Sequence, residues 1–256
     1  MKDTHRKWER RFRNEEYPTD PEPSPWLFDC IEAAPGRGTE AGAAPEAEAE
    51  READTDHHVE GPDADVPGSH VPNADTTGRD GPPRALDVAT GTGRNAIPLA
   101  EAGFSVEAVD QSRAGLRTAR SRARERGVAE RIDWIQADVS TMPIPTSRYG
   151  LVAISFFRTI DRLPDLKRSL VPGGVLFVEH HLRSADDVEL GSSDERFRLA
   201  SNELLRSCLD LTVLHYEERT EVREDGRKSA IAEIVARKSS GNAQSYPRFD
   251  HGGARR

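Results

Sequence analysis

Cysteine is almost missing from this chain. Cys30 and Cys208 are too few for a disulfide framework, and both sit in apolar, helix-like surroundings. They read as small buried hydrophobes in a reducing cytoplasm. Long apolar runs are missing too: nothing approaches the roughly 18 residues that mark a membrane span. The N-terminal MKDTHRKWERRF has no apolar stretch, which excludes a secretory signal. The expectation is a soluble, cytoplasmic protein. An excess of basic charge is also absent. The formal net charge is -9, and residues 33 to 82 carry all of it, with twelve acids against Arg37, Arg51 and Arg79. The rest is balanced and offers no electrostatic argument for a nucleic-acid partner.

What is present divides into four regions. Residues 1–32 read as a helical arm: Thr4 can cap a first helix through Trp8 and Phe12, and Ser24-Pro25 opens a second, PWLFDCIEAA. Residues 33–82, rich in Ala, Gly, Pro and acids without apolar periodicity, cannot bury enough surface to offset their ordering entropy and read as a disordered insert. His57 and His58 lie in it among acids, as part of a solvated tract; no metal site is assigned. Residues 83–238 alternate strands and helices. Strands are expected at 84–89, 105–110, 131–138, 149–155 and 175–180, and helices at 94–103, 112–127, 161–170 and 194–208. This rhythm implies a parallel sheet with right-handed crossovers. It breaks at the end, where two strand-like runs flank Asp225-Gly226, a hairpin signal. The expected fold is a doubly wound α/β domain, a mostly parallel seven-stranded sheet finishing in an antiparallel hairpin. Residues 239–256 read as a frayed tail.

The stretch LDVATGTGRNAIPLA carries the chemistry. A strand contains an acid, Asp87; a turn follows in which Gly91 and Gly93 let backbone approach a ligand; a helix then begins, its free N–H groups aimed at the same place. By spacing alone Gly91, Gly93 and Ala96 also satisfy the dinucleotide fingerprint, and Asp110, ending the second strand, suits a ribose in either case. Three features favour S-adenosylmethionine over NAD. Asp87 lies inside a strand that should be apolar in a dehydrogenase, and can orient the loop and meet the cationic methionine end. Asp138 follows the third strand, where it can accept from an adenine amino group. The closing hairpin does not fit a second mononucleotide-binding half.

The succession D-V-A-T-G-T-G, Asp110, Q-A-D-V and L-V-P-G-G-V-L-F-V-E resembles the motifs of class I S-adenosylmethionine-dependent methyltransferases. The arm WERRFRNEEYPTDPEPSPWL is similar to the small-molecule branch related to the tellurite-resistance methyltransferases. The likeness covers residues 5–32 and 84–238, and implies a Rossmann-like methyltransferase fold. It also implies site roles. Asp87, Ala89, Thr90, Gly91 and Gly93 would surround the methionine part of the cofactor. Asp110 would bind the ribose with Gln111 beside the adenine, Asp138 and Val139 would frame that adenine, and Ser155 would line the floor. Ala89 departs from the family's more frequent glycine.

Methyl transfer needs alignment and exclusion of water more than a nucleophile, so no obligatory catalytic residue is named. Candidates on the acceptor side are Phe156, Arg158, Glu179, His180 and His181, either histidine being a possible general base. Arg94 can meet a carboxylate, and Tyr17 and Trp26 can close over the site or simply pack the arm against the sheet. ISFFR after the fourth strand lacks the Asn/Asp-Pro-Pro-aromatic motif of nucleobase amine methylation, and no cysteine lies near strands four and five. A small-molecule methyl acceptor is expected. An NAD-dependent oxidoreductase and a non-catalytic S-adenosylmethionine-binding module stay as alternatives, and no oligomeric state is implied.

Overall fold

The computed structural model describes residues 2–14, 16–18, 20–36, 81–222, 226–244 and 246. Most of the acidic insert, with His57 and His58, and most of the tail lie outside the described residues.

Seven strands form one sheet: β1 (Arg84–Val88), β2 (Ser105–Asp110), β3 (Ile132–Gln136), β4 (Tyr149–Ser155), β5 (Leu170–His181), β6 (Thr212–Val222) and β7 (Lys228–Arg237). Their spatial order is β3-β2-β1-β4-β5-β7-β6. The first five are mutually parallel, while β7 runs antiparallel between β5 and β6. The order reverses beside β1, where the chain moves first to β2 and β3 and then back to β4. The connections leaving the carboxyl ends of β1 and β4 therefore run in opposite directions, and the switch point between them is the usual ligand position in such sheets.

Alternation along each strand sorts the core into two layers. On one face Ala85, Val106, Ala108, Leu151, Ala153, Phe177 and Val235 pack against α2 (Pro25–Ala33), α3 (Ala96–Glu101) and α4 (Arg113–Glu125). On the other, Leu86, Val88, Val109, Val152, Ile154, Leu176 and Ile234 meet α5 (Leu163–Ser169) and α6 (Glu203–Arg206). Cys30 belongs to the first layer and Cys208 to the second, both free and buried, so they act as apolar filler. Burial of Leu27 or Ile31 in α2 stabilises the fold by about 1.5–3 kcal/mol each.

Local signals act as expected at several ends. Ser24 caps α2 by accepting from Trp26 N–H at 3.3 Å, with Pro25 in the first turn. Ser112 caps α4 by accepting from Gly115 N–H at 3.1 Å. Elsewhere packing overrides propensity. The first helix, α1 (Lys2–Arg13), begins two residues before Thr4. VPGG is no separate turn but part of β5, accommodated by a register shift opposite Tyr149 and Leu151.

The helix expected over 194–208 is not formed: a 3-10 turn at Glu195–Phe197 and the four-residue α6 are all that is helical. Arg198 accounts for the break. It is 7% exposed, and its guanidinium donates to the carbonyls of Leu182, Leu190 and Ser192, holding the backbone extended. Leu199 then bonds to His181, and Asn202 adopts a left-handed φ of 58° before α6 starts. Tertiary partners for one arginine outweigh a helix propensity worth tenths of a kcal/mol per residue.

Candidate functional site

Asp87 points from β1 into the turn that follows. Its carboxylate accepts from Thr90 Oγ1 at 2.5 Å, Asn95 Nδ2 at 3.2 Å and the Ala96 N–H at 3.0 Å. The side chain has no solvent exposure. Burial pushes its carboxyl up to about 6 against a usual 3.8, and the three hydrogen bonds keep it from rising further. Asp87 thus ties both ends of the glycine turn to the sheet.

Gly91 and Gly93 take positive φ of 54° and 87°, as the turn requires. Ala89 does so as well, at 56°, which L-residues pay for with about 1–2 kcal/mol. Substituting Ala89→Gly is therefore expected to raise stability by about 1 kcal/mol, net of the added freedom of the unfolded chain. Denaturant melts of the two proteins check this; an unchanged or lower midpoint would show that strain at this position is no larger than the added freedom of the unfolded chain.

Asp110, at the end of the neighbouring strand, accepts from Gly91 N–H at 2.8 Å and Ser112 N–H at 2.7 Å. Burial raises its pKa while those N–H groups oppose the rise. A carboxylate offers about four acceptor directions, so Asp110 keeps some acceptor capacity beyond these N–H groups. Gln111 is half-buried, and its carbonyl accepts from Gln136 Nε2 at 3.3 Å. After β3, Asp138 accepts from Ser140 N–H at 2.9 Å and from the Ser140 hydroxyl, folding a turn that buries Val139.

Asn95 was not singled out from the sequence, yet it joins two expected residues. Its Nδ2 donates to Asp87 and, at 2.9 Å, to Ser155 Oγ on β4. Ser155 in turn hydrogen-bonds Glu179 of β5, whose Oε1 lies 2.7 Å from Arg94 Nη1. A polar chain thus runs Asp87–Asn95–Ser155–Glu179–Arg94 across β1, β4 and β5. Asn95 Oδ1 is buried without a hydrogen-bond partner, on a side chain whose amide nitrogen contacts the Asp87 carboxylate.

The acceptor-side candidates separate by face. Phe156, at a strained φ of 55°, has Arg94 over its ring at 4.8 Å and His181 stacked on it at 4.6 Å. His181 Nδ1 meets Ser229 Oγ at 3.1 Å. Gly191 closes over His181: a Cβ there would lie 2.8 Å from the imidazole, and φ is 99°, so only glycine fits. Arg94 is already engaged, with Nε donating to the Glu22 carbonyl at 2.5 Å besides its contact with Glu179.

His180 alternates to the opposite face. It is buried, its Nε2 lies 2.8 Å from the Phe197 carbonyl, and burial drives its pKa down to about 4. Arg158 pairs with Glu203 of α6 at 2.6 Å. Trp26 stacks on His215 of β6, ring centroids 3.5 Å apart, while Tyr17 clusters with Phe12 and Trp8 at 5.2 and 6.0 Å. Of the two arm aromatics, Tyr17 is the one grouped with residues that touch the glycine turn.

Among the described residues no group of His, Cys, Asp and Glu could hold a metal ion, and no helix is long and apolar enough to cross a membrane. Residues 85–174 match the family described as a methyltransferase domain. A ubiquinone/menaquinone biosynthesis C-methyltransferase UbiE of Azotobacter vinelandii is 34% identical over 103 residues, 37% of this chain and 41% of the relative. A demethylmenaquinone methyltransferase of Thermus thermophilus is 38% identical over 104 residues, 38% and 46% of the two chains. The chain thus spans less than half the length of these relatives. In fold it is similar to TehB from Haemophilus influenzae, with a TM-score of 0.53 at 23% identity, covering 62% of this chain and 58% of that one.

Proposed function

We propose that this protein, whose residues 85–174 match the methyltransferase-domain family, transfers a methyl group from S-adenosylmethionine to a small-molecule acceptor. The observation that carries the reading is the pair Asp87 and Asp110. They stand at the carboxyl ends of the adjacent parallel strands β1 and β2, next to the switch point, and are buried around one glycine turn. The residues present suit the cofactor. Asp110 keeps acceptor capacity for ribose hydroxyls. Gln111, Asp138 and Val139 flank the place an adenine would take. Asn95 Oδ1, an acceptor lacking a donor, stands with Asp87 and Ser155 where the cationic amino-acid end would lie.

When bound, S-adenosylmethionine would supply a methyl carbon already activated by its sulfonium, open to in-line attack by the acceptor with S-adenosylhomocysteine as the leaving group. The work left to the chain is positioning and drying. Asp87 and Asp110 pull the turn against the sheet, and Ser155 with Phe156 forms the floor between cofactor and acceptor. Where the acceptor carries a proton to be lost, His181 is the residue to take it. His180 is a poor base with its pKa near 4 and its Nε2 against a carbonyl. Arg94 holds Glu179 and Phe156 in place and is not free for a substrate carboxylate. Two buried free thiols suit a reducing cytoplasm.

Calorimetry with S-adenosylhomocysteine, the demethylated product, tests the reading. We expect a Kd in the micromolar range or tighter, about -8 kcal/mol, and no heat with NADH. Binding of NADH with none for S-adenosylhomocysteine would return the glycine turn to the dehydrogenases. Turnover of labelled S-adenosylmethionine against a panel of small hydroxyl, amine and carbon acceptors distinguishes an enzyme from a binding module.

A further inference from the structure

The N-terminal arm follows the glycine turn contact by contact. Phe12 lies so close to Gly91 that a Cβ on that glycine would be 3.2 Å from the ring, and it lies equally close to Gly115 in the first turn of α4. Thr92 Oγ1 donates to the Pro18 carbonyl at 3.2 Å, and Arg94 reaches the Glu22 carbonyl. Arg122 of α4 bridges the Thr92 carbonyl, at 2.5 Å, to the Asp20 carboxylate. Gly91, Thr92 and Gly93 are consequently all buried.

Glu9 reaches from α1 to the start of α4. Its Oε2 accepts from the Ser112 hydroxyl at 2.7 Å and from the Ala114 N–H at 3.1 Å, while its Oε1 is held by Arg13 at 3.2 Å. Ser112 is the residue whose own N–H binds Asp110 and whose hydroxyl caps α4 through Gly115. The Ser112 side chain therefore stands between Glu9 and the Gly115 N–H, oriented by one and orienting the other. Asp110 receives its second hydrogen bond from Gly91, the glycine against which Phe12 packs. Two of the backbone donors that aim Asp110, Gly91 and Ser112, are thus backed by α1. The two carboxylates also lie near enough for Glu9 to raise Asp110 further, after the larger effect of burial. Hydroxyl donors brought between them would relieve that repulsion.

We propose that Glu9 is a positioning residue for the cofactor's nucleoside: from the arm, it holds the start of α4 and so fixes Asp110 in the arrangement that receives the ribose. The inference rests on the S-adenosylmethionine reading above and adds to it a residue from outside the methyltransferase domain. In this arrangement α1 forms a third wall of the site, beside the glycine turn and the end of β2.

The test uses the full chain and two probes, S-adenosylhomocysteine and 5′-methylthioadenosine, which shares the nucleoside but lacks the amino-acid end. Glu9→Ala is expected to weaken both by the same factor, about tenfold, as the loss of a charged hydrogen bond implies. Glu9→Gln keeps an acceptor for Ser112 and Ala114 and is expected to restore most of the affinity for both probes. Melting temperatures are measured in parallel for every variant. A Glu9→Ala protein that melts earlier but binds both probes as the parent does would overturn the inference, leaving Glu9 a helix-docking residue. So would a loss confined to S-adenosylhomocysteine, which would place the effect at the amino-acid end. Failure of the parent itself to bind either probe would sink the cofactor reading instead, so the two failures are distinguishable.

Discussion

Asp110→Asn is expected to weaken S-adenosylhomocysteine binding by at least about 100-fold, roughly 2.7 kcal/mol, with a smaller effect on folding. The carboxylate accepts the Gly91 N–H at Oδ2 and the Ser112 N–H at Oδ1. A carboxamide has one oxygen, so its NH2 must meet one of these two backbone donors together with any ribose hydroxyl that would share that atom. Whichever way it faces, one group of donors loses its acceptor, and a buried donor without a partner costs about 1–3 kcal/mol. Calorimetry on the two proteins measures the effect. Asp138 supplies the comparison. It is half-exposed and spends its carboxylate on Ser140, so Asp138→Asn should cost about tenfold or less. Equal losses at the two positions, or a loss at Asp110 below about threefold, would mean that the end of β2 does not hold a ribose.

The second large effect is on stability. Asp87→Ala removes the common acceptor of Thr90 Oγ1, Asn95 Nδ2 and the Ala96 N–H, all in a site without solvent exposure. The expected cost is about 3–5 kcal/mol, a fall in melting temperature of roughly 10 °C for a domain of this size. Asp87→Asn should cost less, because Asn95 can present its unpartnered Oδ1 to the new amide.

The same residue predicts a pH dependence of definite sign. Its carboxyl titrates near 3.8 when unfolded and at about 6 when folded. Between those values the native state holds a proton that the unfolded state has lost, so this contribution to stability declines as pH rises from about 4 to about 6. Above that window the full penalty of a buried charge is present. Relative to Asp87→Asn, the parent protein should therefore lose about 1–3 kcal/mol between pH 4 and pH 7. If the cationic amino-acid end of S-adenosylmethionine lies at the Asp87–Asn95 corner, as proposed above, saturating cofactor should flatten that slope. Denaturant melts at several pH values, with and without the cofactor, read both effects. A difference between the two proteins that stays constant with pH would show that Asp87 is ionised throughout.

Much of the site is legible because its parts are neighbours in the chain. The glycines of the turn sit where positive φ occurs, Asp87 and Asp110 end the strands on either side, and the turn leads straight into α3. Ser24 and Ser112 announce their helices because a cap is a bond between residues two or three apart. The terminal hairpin is readable for the same reason: a turn signal flanked by two strand-like runs specifies its own pairing.

The failures have a shared cause as well. Residues 194–208 look helical by pattern, but Arg198 finds three carbonyls from loop and strand that no local pattern reveals. Asn95 looks like a helix-start residue, and only the register of β1 against β4 brings Ser155 within its reach. His180 and His181 look equivalent until the pleat of β5 sends one to each face and gives them different surroundings.

The order of residues therefore determined, on its own, the alternating α/β plan, the turn between β1 and α3, and the acids that flank it. These depend on torsions and hydrogen bonds spanning a few residues. The tertiary structure alone decided which of two histidines faces Phe156, that Arg94 is spent on Glu179 and Glu22, and that Glu9 meets Ser112 across 103 residues of chain. Contacts of that separation form only once the sheet is assembled, because the packing of distant segments, and no local preference, brings the partners within bonding distance.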